Sequence, residues 1–171
     1  DASEARLFAS GLSAAAAVFS STLRPGDVVV ATGVMYFGIR KWLRDLCARF
    51  GMKAVFVDGT DADVLRAAIA EQRPRVVWIE TPGNPTLDVV DIASACEAAH
   101  EHGALVCVDN TAATPVHTRP IALGADVVMH SATKYLNGHS DVLAGALCTA
   151  AADAEAWRAI KQHRHDQGAV P

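Results

Sequence analysis

The chain has 171 residues, a formal net charge of −4, and 51% hydrophobic, 20% charged and 6% aromatic residues. This is the length of one domain with a sizeable core, and the composition excludes a disordered chain. The acidic balance and the absence of Lys/Arg clusters interleaved with aromatics exclude a nucleic-acid surface, and no apolar run approaches the ~18 residues of a membrane span.

The start, Asp1-Ala2-Ser3-Glu4, lacks the basic and apolar parts of a signal peptide. Helix is expected over 13–23, ending at Pro25-Gly26, followed by the short strand 28–31. Further helices are expected over 38–50, 62–72 after Asp61, 92–102 after Asp91, and 152–165. Strands are expected at 54–57, 75–80, 105–108, 126–129 and 142–148. These strands are short and apolar throughout rather than alternating, which marks strands buried on both faces. The βαβ order predicts an α/β fold with a mainly parallel sheet and helices on both faces. Ligands of such sheets bind beyond the carboxyl ends of the strands, and Tyr36, Glu80, Asp109 and Ser131 all follow apolar runs. Cys47, Cys96, Cys107 and Cys148 form no C-x-x-C pair and lie in apolar contexts. They read as buried thiols of a cytoplasmic protein rather than disulfides or zinc ligands.

Neither G-x-x-x-x-G-K-[ST] nor G-x-G-x-x-G occurs, which removes the P-loop and the usual dinucleotide fingerprint. Three other pieces carry chemistry. Ser10-Gly11-Leu12-Ser13 opens a helix, where backbone N–H groups hold phosphate or simply receive a cap. Asp109 ends a buried strand, as a site carboxylate or a turn residue. Lys134 follows the strand 126–129, with Ser131 and Thr133 before it, as a working amine or a surface lysine. Together they supply phosphate donors, a partner for a pyridinium nitrogen and an amine for an aldehyde, the set that pyridoxal phosphate needs.

The sequence resembles the Cys/Met metabolism family of pyridoxal-phosphate enzymes, which includes cystathionine γ-synthases and lyases, methionine γ-lyases and homoserine sulfhydrylases. The resemblance rests on Ser10-Gly11-Leu12-Ser13-Ala14, Leu23-Arg24-Pro25-Gly26-Asp27, Glu80-Thr81-Pro82-Gly83-Asn84-Pro85, Val108-Asp109-Asn110-Thr111 and the run from His130 to Asp141. It implies a fold type I, transferase-like large domain. It also implies that Lys134 is the Schiff-base lysine and base at Cα, and that Asp109 is the pyridinium partner. Tyr36 matches the tyrosine that stacks on the ring and assists the leaving group. Asn84 matches the asparagine near the phenolic oxygen. Ser131 and Thr133, with the amides of Gly11 and Leu12, match the phosphate donors, while Glu80 is expected to support its loop.

The implied activity is β/γ elimination or γ replacement on cystathionine, methionine or O-acylhomoserine-type substrates. The implied assembly is a homo-oligomer, dimer or tetramer, with sites shared between subunits. Gly38 stands where methionine γ-lyases commonly carry cysteine, which weighs against that activity. Family members are more than twice as long, so residues 1–171 are expected to be the central part of the cofactor domain, without the N-terminal arm and C-terminal domain. The stop at 168–171, where the family runs on, is part of that expectation. A non-catalytic cofactor-domain fragment or scaffold module is the alternative. His100, His102, His163 and His165 read as solvated surface rather than metal ligands, and Trp42, Trp78 and Trp157 as packing residues.

Overall fold

The computed structural model describes residues 1–168. Seven strands form one sheet in the order β1-β7-β6-β5-β4-β2-β3. These are β1 (Glu4–Phe8), β2 (Val28–Thr32), β3 (Lys53–Val57), β4 (Val76–Glu80), β5 (Leu105–Asp109), β6 (Val127–His130) and β7 (Gly145–Thr149). The pairs β2/β3, β2/β4, β4/β5 and β5/β6 are parallel. β7 runs antiparallel to both β6 and β1. The expected mainly parallel α/β sheet is therefore the fold, closed on one side by an antiparallel pair.

The helices are α1 (Gly11–Thr22), α2 (Phe37–Phe50), α3 (Ala62–Gln72), α4 (Ile92–Glu101), α5 (Thr114–His117) and α6 (Glu155–Asp166), with a 3₁₀ turn at Pro120–Leu123. One face of the sheet packs under α1, α2 and α6 through residues such as Phe8, Phe19, Leu43, Trp78, Met129 and Trp157. The Phe19 and Trp78 rings meet at 4.9 Å there. The other face packs under α3 and α4 through Val30, Leu65, Ile69, Val77, Cys96 and Val108. Successive residues of β2, β4, β5 and β6 feed opposite cores, so these strands read as apolar runs.

Some boundaries differ from the sequence expectation. β1 was not expected. It holds because Ser3 and Glu4 are tied across the molecule: Ser3 N–H donates to the Thr149 carbonyl, and Glu4 receives the Trp157 indole N–H at 2.6 Å and the Lys161 ammonium at 3.1 Å. β7 begins at Gly145, not at 142, because Ala144 is clasped by Thr133 through both its N–H and its carbonyl. α6 begins at Glu155, after a turn in which Ala154 N–H reaches the Ala151 carbonyl. Lys53, one residue before the expected strand 54–57, is the first residue of β3. Three of the four thiols are buried and Cys148 is half-buried, all free. Among the described residues no helix is long and apolar enough to cross a membrane. Residues 169–171, part of the stretch where the family is expected to run on, lie outside the described residues.

The topology places the chemistry. From β2 the chain steps outward to β3 through α2, then returns past β2 to β4 through α3. The crevice between β2 and β4 is thus a topological switch point, where open α/β sheets bind ligands.

Candidate active site

Six chain segments meet at the carboxyl edge of the parallel strands. β1 runs alongside β6 in direction, so its end delivers Ser10 and the start of α1 to that edge, while antiparallel β7 begins there. Ser10 caps α1 in a reciprocal box: its hydroxyl accepts Ser13 N–H at 3.0 Å, and Ser13 Oγ accepts Ser10 N–H at 2.9 Å. Among the described residues the Gly11 and Leu12 amides find no acceptor, and they stand at the positive end of the helix dipole. Gly11 is packed so closely that a Cβ there would stand 2.7 Å from Ser131 Cβ and 2.8 Å from Ser131 Oγ. The Ser131 hydroxyl therefore lies beside the first turn of α1.

Asp109 ends β5 and is 4% exposed. Its Oδ1 accepts the Thr111 N–H at 3.0 Å and the Thr111 hydroxyl at 2.5 Å. The Thr111 hydroxyl in turn accepts Ser131 N–H at 2.8 Å. Asp109, Thr111, Ser131 and Gly11 thus form one continuous chain of contacts. Burial pushes the Asp109 carboxyl up to about 6, against the Thr111 bonds that lower it. Thr111 was quoted in the sequence motif without a role. Its signal was a hydroxyl two residues after a strand-end acid, the spacing of a side-chain turn. Asn110, fully buried, points its amide to the Thr118 carbonyl at 2.9 Å and so holds the loop through α5.

Lys134 lies three residues past Ser131, in a turn closed by Lys134 N–H on the Ser131 carbonyl at 3.0 Å. It is exposed, and its ammonium has no hydrogen-bond or ion-pair partner among the described residues. β5 and β6 are adjacent parallel strands, so Asp109 and the Lys134 turn leave the sheet side by side. Thr133 departs from its expected setting. Its hydroxyl donates to the Ala144 carbonyl at 3.1 Å and accepts Ala144 N–H at 3.0 Å, so its proton is already committed to fastening the loop.

Tyr36 precedes α2, and its ring folds back over Gly38, where a Cβ would meet Tyr36 Cε1 at 2.6 Å. Gly38 therefore leaves the room that the ring uses. Asn84 is exposed in the β4–α4 loop. Both loops are held by Glu80, which is 6% exposed: Tyr36 N–H donates to Glu80 Oε2 at 2.7 Å, and Asn84 N–H donates to Oε1 at 2.9 Å. Burial, reinforced by the Asp109 charge, pushes the Glu80 carboxyl up to about 7.

On the opposite edge, His100 is not merely solvated, because its Nε2 lies 3.0 Å from Asp126 Oδ2.

The fit to a phosphate-bearing pyridine can be judged from this geometry. Asp109 is a buried carboxylate with no cation beside it and with Oδ2 free of donors among the described residues, which suits a protonated ring nitrogen. The unpartnered first-turn amides and the adjacent Ser131 hydroxyl suit a phosphate. A mostly parallel α/β sheet that brings these groups and a strand-end lysine to one edge is the framework of a pyridoxal-phosphate-binding domain. The Cys/Met metabolism PLP-dependent enzyme family matches residues 1–171. The chain belongs to that family.

It is 50% identical over 135 residues to the cystathionine gamma-synthase of Escherichia coli (strain K12), covering 79% of this chain and 35% of the relative. It is 45% identical over 139 residues to the human cystathionine gamma-lyase, covering 81% of this chain and 34% of that one. A solved cystathione gamma lyase from Micromonospora echinospora superimposes with a TM-score of 0.92 at 47% identity, over 99% of this chain and 44% of that chain. The chain thus spans well under two thirds of the length of these relatives.

Proposed function

We propose that the chain is the central part of the cofactor domain of a pyridoxal-phosphate enzyme. It acts on sulfur-containing or O-acylated amino acids by β/γ elimination or γ replacement, as in cystathionine synthesis and cleavage. The observation that carries this reading is the contact chain Asp109–Thr111–Ser131–Gly11. It sets a buried carboxylate and a helix N-terminus side by side, next to the Lys134 turn.

Bound pyridoxal phosphate supplies an electron sink for the charge that develops at the substrate's Cα. Lys134 would hold the cofactor through its side-chain nitrogen and would move the proton at the substrate's Cα. Asp109 keeps the ring nitrogen protonated. The Gly11 and Leu12 amides and the Ser131 hydroxyl hold the phosphate, and Thr133 joins them only by releasing the Ala144 carbonyl. Tyr36 covers the ring and assists the leaving group, while Asn84 orients the phenolic-oxygen side. Gly38, with no side chain beside Tyr36, weighs against methionine γ-lyase activity.

A homo-oligomer with sites shared between subunits and a cytoplasmic setting accompany this reading. The four free thiols support the cytoplasmic setting. A non-catalytic scaffold is disfavoured, because a scaffold has no use for a buried, unpaired acid beside an open lysine.

The test is spectroscopic and then chemical. Added pyridoxal phosphate should produce an absorbance band near the visible edge that Lys134→Ala abolishes. Product analysis with cystathionine, methionine and O-succinylhomoserine should then give turnover of the first or third. A chain that binds no cofactor overturns the reading.

A further inference from the structure

Glu80 is the side chain that joins the two loops across the β2/β4 switch point. Its two oxygens are used separately: Oε2 takes the amide of Tyr36, 44 residues away in sequence, and Oε1 takes the amide of Asn84. The Glu80 backbone is tied to β2 as well, because its N–H donates to Thr32 Oγ1 at 3.2 Å. Glu80 also stands in register with Asp109 across β4 and β5, so the two buried carboxylates lie on one face of the sheet. An ionised carboxylate accepts both amides strongly, whereas a protonated one carries a hydrogen on one of its oxygens and accepts less well.

We propose that Glu80 is a positioning residue whose ionised carboxylate fastens the Tyr36 and Asn84 loops to the end of β4, and that positive charge held by Asp109 tightens this fastening. This rests on the reading of the carboxyl edge as a cofactor site. A cation paired with Asp109 cancels the repulsion that Asp109 exerts on Glu80. Glu80 then gives up its proton, and both loop amides gain a charged acceptor. Loading the ring-binding acid in this way orders the groups above the ring, although the only hydrogen bond from either loop to Asp109 among the described residues is Thr81 N–H to its backbone carbonyl at 3.3 Å, and none reaches its carboxylate. Asp109 is the charged group that acts on Glu80 through space, while the Tyr36 and Asn84 amides contribute neutral dipoles.

The experiment follows the backbone amides of the cofactor-free protein by ¹H–¹⁵N spectroscopy between pH 5 and 9. The Tyr36 and Asn84 amide shifts should titrate together, with one midpoint near the Glu80 value of about 7. Asp109→Asn removes the neighbouring charge and should lower that midpoint without any cofactor present. Glu80→Gln keeps the volume but offers one acceptor oxygen and an NH₂ group. It should abolish the titration and speed hydrogen exchange at one of the two amides by about tenfold or more. Glu80→Asp retains the charge but is too short to span both loops, so it should release one amide and keep a titration at the other.

The proposal is overturned if the two amides titrate independently or not at all, or if Asp109→Asn leaves the midpoint in place. It is also overturned if a folded Glu80→Gln exchanges at the parent rates. The parent titration and Asp109→Asn decide the matter even if Glu80→Gln does not fold. Failure of pyridoxal phosphate to bind overturns the functional reading separately, because none of these measurements uses the cofactor.

Discussion

Glu80 and Asp109 are register partners on adjacent parallel strands, two buried carboxylates whose only donors among the described residues are neutral. Burial raises both, Glu80 from 4.5 to about 7 and Asp109 from 3.8 to about 6. A carboxyl with a raised folded pKa holds its proton more tightly in the fold than in the unfolded chain. Its contribution to stability is complete below the unfolded value and is lost as the pH rises through the folded one. The cofactor-free chain should therefore lose stability from these two groups between about pH 4 and pH 7.

His130 works in the opposite sense. Burial lowers its pKa, so its neutral form contributes stability above the ordinary histidine value of 6.5 that is lost as the pH falls through the lowered one. Asp109→Asn separates the two effects. Urea midpoints at pH 5 and pH 8 should show a smaller alkaline loss in Asp109→Asn than in the parent, and equal losses would mean that the pair is solvated.

Thr111 connects the acid to the phosphate side. Its hydroxyl gives its proton to Asp109 and accepts the Ser131 N–H. Thr111→Val has nearly the same shape and removes both bonds, leaving a part-buried N–H and a buried carboxylate each short of a partner. The expected cost is about 1–3 kcal/mol in urea unfolding. The Asp109 pKa should rise further, because the strongest of its lowering bonds is gone. Thr111→Ser should recover both. If Thr111→Val matches the parent in stability and in the Asp109 titration, the bridge contributes nothing.

The sheet was legible because buried parallel strands write continuous apolar runs, as 28–31 and 105–108 do. β1 was not, because Glu4–Phe8 is an edge strand held by long-range partners, Trp157 and Lys161, that local pattern cannot reveal. The motif residues around Asp109 and Lys134 were visible as types at strand ends. The bridging role of Thr111 and the double use of Glu80 were not, since each depends on which residues other loops bring near. Thr133 shows the converse: its position in the motif pointed to a phosphate donor, while its hydroxyl is spent on Ala144, eleven residues on.

Two lysines provide an internal contrast. Lys134 has no partner for its ammonium, whereas Lys161 is tied to Glu4 and stabilises β1. Lys134→Ala should abolish the cofactor absorbance band and reduce turnover by at least about a hundredfold, the scale of a lost proton-transfer group. Its fold should persist, since the Lys134 side chain supports nothing. Lys161→Ala should keep the band and lose at most about 1 kcal/mol, the worth of a part-exposed ion pair. An unchanged absorbance band in Lys134→Ala would move the anchor to another amine.

Gly145 begins β7 directly against the N-cap of α1. A Cβ there would overlap the Ser10 carbonyl oxygen and stand 2.6 Å from its carbon and 2.9 Å from Gly11 N. All of these atoms are backbone, so no side chain can swing away to make room. Gly145→Ala must shift the Ser10–Gly11 segment. That shift strains the capping box and moves the Gly11 and Leu12 amides relative to Ser131. The expected destabilisation is about 1–3 kcal/mol, as for other overpacked sites. If those amides seat the phosphate, pyridoxal-phosphate affinity should fall as well, by about tenfold or more for the loss of one charge-assisted hydrogen bond. The absorbance band of the protein that does bind should keep its position, since Lys134 and Asp109 are not displaced. An absorbance titration that gives the parent affinity in a protein measurably less stable would place the phosphate away from the start of α1.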